Sequence, residues 1–252
     1  MHSILAVFRR ELALYFRSPV AYAIAFALLL FLGVLFNGFI AQANAALSFG
    51  SGIPADAGFA PNLLTFLMFL IAPLLTMRLL AEESREGTLE VLMTLPMHES
   101  SFIIGKFLAA WAYYSVLLLL SLVFYALQSF IGVPDAGVAL GAYGGAWLYG
   151  GAVLAITLIW SAVTEDQIVA AFLGSATILV LYLAEIAAIW IAGQGSSSLL
   201  ADFVRELGLQ AHFSVTLAQG IVRAEDVVYF ICVIIGALFI TTRLVETRRW
   251  RA

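Results

Sequence analysis

Charge is scarce in this chain. Only 11% of its 252 residues are Asp, Glu, Lys or Arg, against 63% hydrophobic residues and a mean hydropathy of +1.03. A water-soluble domain carries about 25% charged residues, so most of this surface must face lipid. Cysteine is nearly absent: Cys232 stands alone in an apolar run, which excludes a disulfide framework and any cysteine-based metal site. The three histidines, His2, His98 and His212, lie far apart and read as surface or interface residues rather than ligands. There is no G-x-x-x-x-G-K-[ST] phosphate loop and no H-E-x-x-H, so neither P-loop ATP binding nor zincin chemistry is expected. Ser51 between Gly50 and Gly52 has no histidine within reach of its loop and makes no hydrolase. A cleavable signal peptide is not expected either, because the first apolar run, from Val20, is too long for one and lacks an A-x-A-like site.

What the chain does have is long apolar runs. A spanning helix needs about 20 apolar residues, and six runs qualify: 20–40, 63–80, 107–131, 141–163, 168–192 and 227–242. No repeat or second domain is visible, so residues 1–252 read as one all-α integral membrane domain. Ten of the twelve basic residues fall before the first run, around the second and third, or after the sixth, leaving only Arg205 and Arg223 in the alternate segments. By the positive-inside rule both termini are cytoplasmic.

The stretches between the runs are patterned. Within residues 1–19, Ile4, Leu5, Phe8, Leu12, Tyr15 and Phe16 share one helical face, with Arg9, Arg10, Glu11 and Arg17 away from it. That is an amphipathic helix lying along the inner leaflet, broken at Ser18 and Pro19. On the outer side, Leu199, Leu200, Phe203, Val204 and Leu207 oppose Asp202, Arg205 and Glu206, and Phe213–Val222 is uncharged but too short to span. Two short helices at or dipping into the outer face are expected there, with Asp226 capping the sixth span. Gly193–Ser198 reads as a flexible turn.

The most informative stretch runs from Glu82 to Pro96. Gly87 interrupts a charged turn, Thr88 can cap a new short helix with Glu90 in its first turn, and Leu89, Leu92, Met93 and Leu95 form an apolar ridge that Pro96 ends. Ser100 or Ser101 can cap the third span. An exposed apolar ridge fringed by Glu82, Glu83, Glu86 and Glu90 is unsuited to an anionic leaflet and suited to docking on a protein. Glu185 is the one ionisable residue well inside a span, either a functional site or a packing lock. Gly141, Gly144, Gly145, Gly150 and Gly151 suit close helix contact, along a dimer seam or within one bundle.

The segment E-E-x-R-E-G-T-L-E-x-L-M-T-L-P resembles the cytoplasmic signature of ABC-2 type transporter permeases, nearest the branch of gliding-motility and nitrous-oxide-reductase-maturation permeases. The stretch Phe8–Pro19 resembles that family's amphipathic connecting helix, and His212–Phe230 its approach to the last span. The resemblance implies an exporter's permease subunit, dimeric with a second copy or a paralogue, in the bacterial inner membrane. Two copies of a separate ABC ATPase subunit would hold ATP and Mg, with no cofactor on this chain. It implies a coupling helix that docks the ATPase through Glu83, Glu86, Gly87, Thr88, Leu89, Glu90, Leu92 and Met93, and a lesser contact at Thr164, Glu165 and Asp166. Short re-entrant helices would occupy 199–222. It leaves room for an auxiliary periplasmic or membrane protein; no nucleic-acid partner is expected. The outer loop 36–62 lacks a large domain, which argues against capture of bulky external cargo there. The rival reading is a stand-alone ion-coupled carrier or channel working through Glu185.

Overall fold

The computed structural model describes residues 2–48, 56–87, 98–130, 132–193 and 198–249. Six long helices are apolar and long enough to cross a membrane: α2 (Pro19–Ser48), α3 (Phe59–Arg85), α4 (Glu99–Gln128), α5 (Ala136–Val163), α6 (Gln167–Gly193) and α9 (Ala224–Arg249). Ahead of them lies α1 (His2–Arg17), and between α6 and α9 lie α7 (Ser198–Leu207), α8 (Ala211–Ser214) and a 3-10 turn, Leu217–Gln219. The protein is an all-α, multi-pass membrane protein. Six crossings return the chain to its starting side, so α1 and the end of α9 share one side of the bundle, called here the terminal side.

All six helices begin before their apolar runs, and four also end beyond them; α5 ends with its run at Val163 and α4 at Gln128, short of 131. α4, for example, begins at Glu99 rather than 107, because a helix continues through the headgroup region, where charged side chains are tolerated. Its N-cap is His98, with no side-chain cap from Ser100 or Ser101. Ser18 and Pro19 do separate α1 from α2, with proline in the first helical turn, where its missing N–H costs nothing.

At the centre stands α5. Of its apolar stretch 67% is buried, against 17% in α2 and in α6. Its small residues permit this. A Cβ at Gly141 would lie 2.5 Å from the Gly220 Cα, one at Gly145 2.6 Å from the Leu217 Cβ, and one at Gly151 2.8 Å from the Trp111 ring. One at Gly150 would lie 2.1 Å from Cε1 of the Tyr114 ring. These four glycines therefore serve contacts within one bundle, while Gly144 meets nothing within 4 Å. α3 joins α5 through a Thr76–Thr157 hydroxyl pair at 3.0 Å. Ser161 Oγ accepts from the Leu80 and Ala81 amides, each at 3.1 Å, and donates to the Met77 carbonyl at 2.9 Å.

On the far side the chain folds back against α5 and α6. Phe213 is fully buried, its ring 5.8 Å from that of Tyr149. α7 turns Ala201 inward and leaves Leu199, Leu200, Phe203 and Leu207 exposed, a face suited to lipid. The second short helix expected here is in fact a four-residue helix plus the 3-10 turn, ended by Gly220 at φ +81. A left-handed residue closes the turn, and glycine is the residue that adopts it without strain. Asp226 is not the cap of α9, which begins at Ala224. Its carboxylate is taken by His212 Nδ1 at 2.9 Å and by the Thr216 hydroxyl at 2.7 Å. The turn expected at Gly193–Ser198 lies mostly outside the described residues.

Candidate functional site

On the terminal side, α1 lies across the ends of α3 and α4. Its packed face overlaps the one the hydrophobic pattern selects, since Phe8, Leu12 and Tyr15 pack in or against the core, but it is rotated enough to take in Glu11. Glu11 and Tyr15 are buried, whereas Leu5 and Phe16 are 47% and 41% exposed. The close approach is made at Gly105 of α4, where a Cβ would sit 2.9 Å from Val7. Tyr15 then anchors the other end of α1: its hydroxyl donates to the Leu75 carbonyl at 2.6 Å and its ring stacks on Tyr113 at 5.2 Å. Burial raises its pKa well above the ordinary tyrosine value.

Between these contacts lies a four-charge cluster. Lys106 of α4 is 2% exposed. Its Nζ is 2.8 Å from Glu83 Oε1 of α3 and 3.1 Å from Glu11 Oε1 of α1. Arg10 Nη2 closes the ring at 2.7 Å from Glu11 and 3.2 Å from Glu83. Two cations and two carboxylates sum to zero, which is what allows a lysine to be this deeply desolvated. The same oxygens bind both cations, so three helices are tied through one cluster. Burial works to lower the Arg10 pKa, but hydrogen bonds and charge from Glu11 and Glu83 outweigh it and hold the guanidinium above its ordinary value.

Glu83, expected to face a partner, is thus turned inward to Lys106, and its side chain is 13% exposed. Glu86 and Gly87 are exposed and end α3. The Glu86 amide donates to the Glu82 carbonyl at 3.0 Å, and Gly87 adopts φ +68, the left-handed residue that commonly follows a helix. Thr88, Leu89, Glu90, Leu92 and Met93 lie outside the described residues. In the sequence they belong to the segment that links α3 to α4.

The turn between α5 and α6 caps both helices. Thr164 donates to the Trp160 carbonyl at 3.0 Å, and Asp166 accepts from the Ile168 and Val169 amides at 2.7 and 3.3 Å. Glu165 beside them is exposed. Glu185 stands apart from all of these, in the far-side half of α6, where the Ser214 hydroxyl lies 3.3 Å from both carboxylate oxygens. That contact ties α6 to the folded-back segment.

Two ionic features escape a reading of the sequence. Lys106 sits just before an apolar run and so reads as an ordinary interfacial cation. His212, stacked on Tyr229 at 3.8 Å and bonded to Asp226, reads in the sequence only as a surface or interface residue.

Residues 40–205 match the model of a family described as ABC-2 family transporter protein. Among curated proteins, the probable ABC transporter permease protein NosY of Pseudomonas aeruginosa is 36% identical over 140 residues, 54% of this chain and 50% of that protein. The chain thus spans about half the length of the curated relative it matches. Glu83 and Lys106 fall inside the stretch matched by the family; Arg10 and Glu11 precede it.

Proposed function

The chain belongs to the ABC-2 family of transporter proteins, and from that we propose that it is the permease subunit of an ATP-driven exporter. It carries no motor of its own. Two copies of a separate ABC ATPase subunit bind ATP and Mg and drive it, and a second permease copy or a paralogue completes the membrane path. The terminal side is cytoplasmic and the membrane is the bacterial inner membrane, in keeping with ten of twelve basic residues on that side.

The observation that carries this reading is the buried clamp at the base of the α3–α4 hairpin. A hairpin tip that only linked two spans would not need a desolvated lysine held by carboxylates from two further positions. A tip that transmits force does. Motion applied to residues 88–96 passes into α3 and α4 together, and the Lys106–Glu83 and Lys106–Glu11 pairs make α1 move with them. The acids Glu86 and Glu90 flank the apolar ridge and favour a basic groove on the ATPase over an anionic leaflet.

The test is co-purification with an ABC ATPase subunit, together with ATPase stimulation in lipid. Leu89→Asp places a charge on the ridge, and Glu90→Arg reverses one at its edge. Both are expected to remove the partner and the stimulation while leaving the permease monodisperse. Intact assembly in both variants would overturn the docking assignment.

The rival carrier reading rests on Glu185. Its carboxylate is engaged by Ser214, which favours a packing role. Glu185→Gln keeps an acceptor for that hydroxyl, so we expect melting within about 2 °C of the parent and retained ATPase stimulation. Transport that persists without any ATPase, and is abolished by this substitution, would instead establish the carrier.

A further inference from the structure

The clamp lines one end of a cavity of about 650 Å³, and the other end is formed by Arg17, Ser18 and Arg78. Arg78 and Glu82 also line a smaller crevice of about 140 Å³ that runs between α2 and α3, past Val20, Ile24 and Leu74. α2 touches α3 only sparsely, which leaves that crevice open towards lipid.

The charges here are arranged unlike those of the clamp. The Arg78 guanidinium donates to Ser18 Oγ at 3.3 Å and lies 5.6 Å over the Tyr15 ring. No carboxylate stands within 4 Å of it among the described residues. Glu82 follows four residues later on the same helix, about 6 Å nearer the terminal side, and it too makes no ion pair among the described residues. Both side chains are half-buried. A cation and an anion one turn apart, in one cavity and not bonded to each other, form two poles for a ligand that carries both charges.

The depth order identifies the ligand. Arg78 lies nearer the bilayer centre and Glu82 nearer water. Guanidinium and hydroxyl donors suit a phosphate, and a carboxylate one turn further out suits an ammonium able to donate hydrogen bonds. An apolar crevice descends from the cationic pole. We propose that this is a binding site for a phospholipid with a primary-amine headgroup, phosphatidylethanolamine in chemical class. Its phosphate sits on Arg78 and Ser18, its ammonium reaches Glu82, and its first acyl carbons lie against Val20, Ile24 and Leu74. A purely anionic headgroup would place its remaining oxygens against Glu82, and a quaternary ammonium has no N–H to give that carboxylate. The lipid is resident at the α1–α2 corner and not cargo, so the site stands independently of the transport reading.

The experiment is native mass spectrometry of the purified full-length chain. It is titrated separately with dioleoyl phosphatidylethanolamine, phosphatidylglycerol and phosphatidylcholine. The parent is expected to retain the ethanolamine lipid about tenfold more strongly than either other lipid, equivalent to roughly 1.4 kcal/mol. Arg78→Gln should cut its retention by a similar factor. Glu82→Gln keeps the phosphate pole and should erase the preference, bringing phosphatidylglycerol level with or above the ethanolamine lipid. That variant decides the matter should Arg78→Gln not fold. Equal retention of all three lipids by the parent, or an unchanged order in Glu82→Gln, overturns the site. So does displacement of the ethanolamine lipid by excess inorganic phosphate, which would mark a free-anion site.

Discussion

Lys106→Met is expected to be the most damaging single substitution outside the docking segment, lowering stability by about 3–5 kcal/mol and the melting temperature of the detergent-solubilised protein by roughly 10 °C. The reason is asymmetry. Methionine fills the volume of the lysine stem, so packing against Phe102 survives, but Glu11 and Glu83 then face each other across a buried space with only the half-exposed Arg10 between them. Removing one partner of a buried pair leaves an uncompensated charge, whereas neutralising the whole set costs little. The triple variant Lys106→Met, Glu11→Gln, Glu83→Gln is therefore expected to recover most of the loss. On the proposed transmission of motion from the hairpin to α1, the triple variant should still stimulate an ABC ATPase poorly despite regained stability. A Lys106→Met protein that melts within about 1 °C of the parent would remove the clamp from the account altogether.

Helices and their number are legible in the sequence because the bilayer leaves few options. A backbone in hydrocarbon must satisfy its own hydrogen bonds, so an apolar run of sufficient length is a helix whatever packs beside it. Helix ends and inward faces answer to other forces. Lys106 is set apart from the third apolar run by its charge alone, and nothing near it in sequence announces its neutralisers. Glu11 is 95 residues away on another helix. For the same reason the hydrophobic pattern of α1 places Glu11 towards water, although the fold buries it: periodicity scores a glutamate as polar and cannot see a buried lysine waiting for it. His212 and Asp226 are brought together only by the break at Gly220. The segment proposed to dock is the converse case, since its composition is eloquent while the described residues stop at Gly87 and resume at His98.

The glycines of α5 show how far composition reaches and where structure must take over. Small residues along one helix announce close packing, and the partner distinguishes a dimer seam from an internal contact. Gly150 is set against the flat of the Tyr114 ring, and that ring cannot retreat. Tyr114 is fully buried, and its hydroxyl donates to the Ala146 carbonyl at 2.9 Å, one turn away on the same α5. Gly150→Ala therefore forces α4 and α5 apart or breaks that hydrogen bond. Overpacking of this kind costs about 1–3 kcal/mol, a fall in melting temperature of roughly 3–10 °C. Gly144→Ala is the matched control, on the same helix with nothing within 4 Å, and is expected to leave melting unchanged. Combining Gly150→Ala with Tyr114→Leu should recover part of the loss, because the smaller side chain vacates the space the new methyl needs. The coupling between the two positions is then favourable, as neighbours sharing one contact require. If Gly150→Ala and Gly144→Ala melt alike, the two helices are not held at the separation described, and the central place given to α5 falls with that contact.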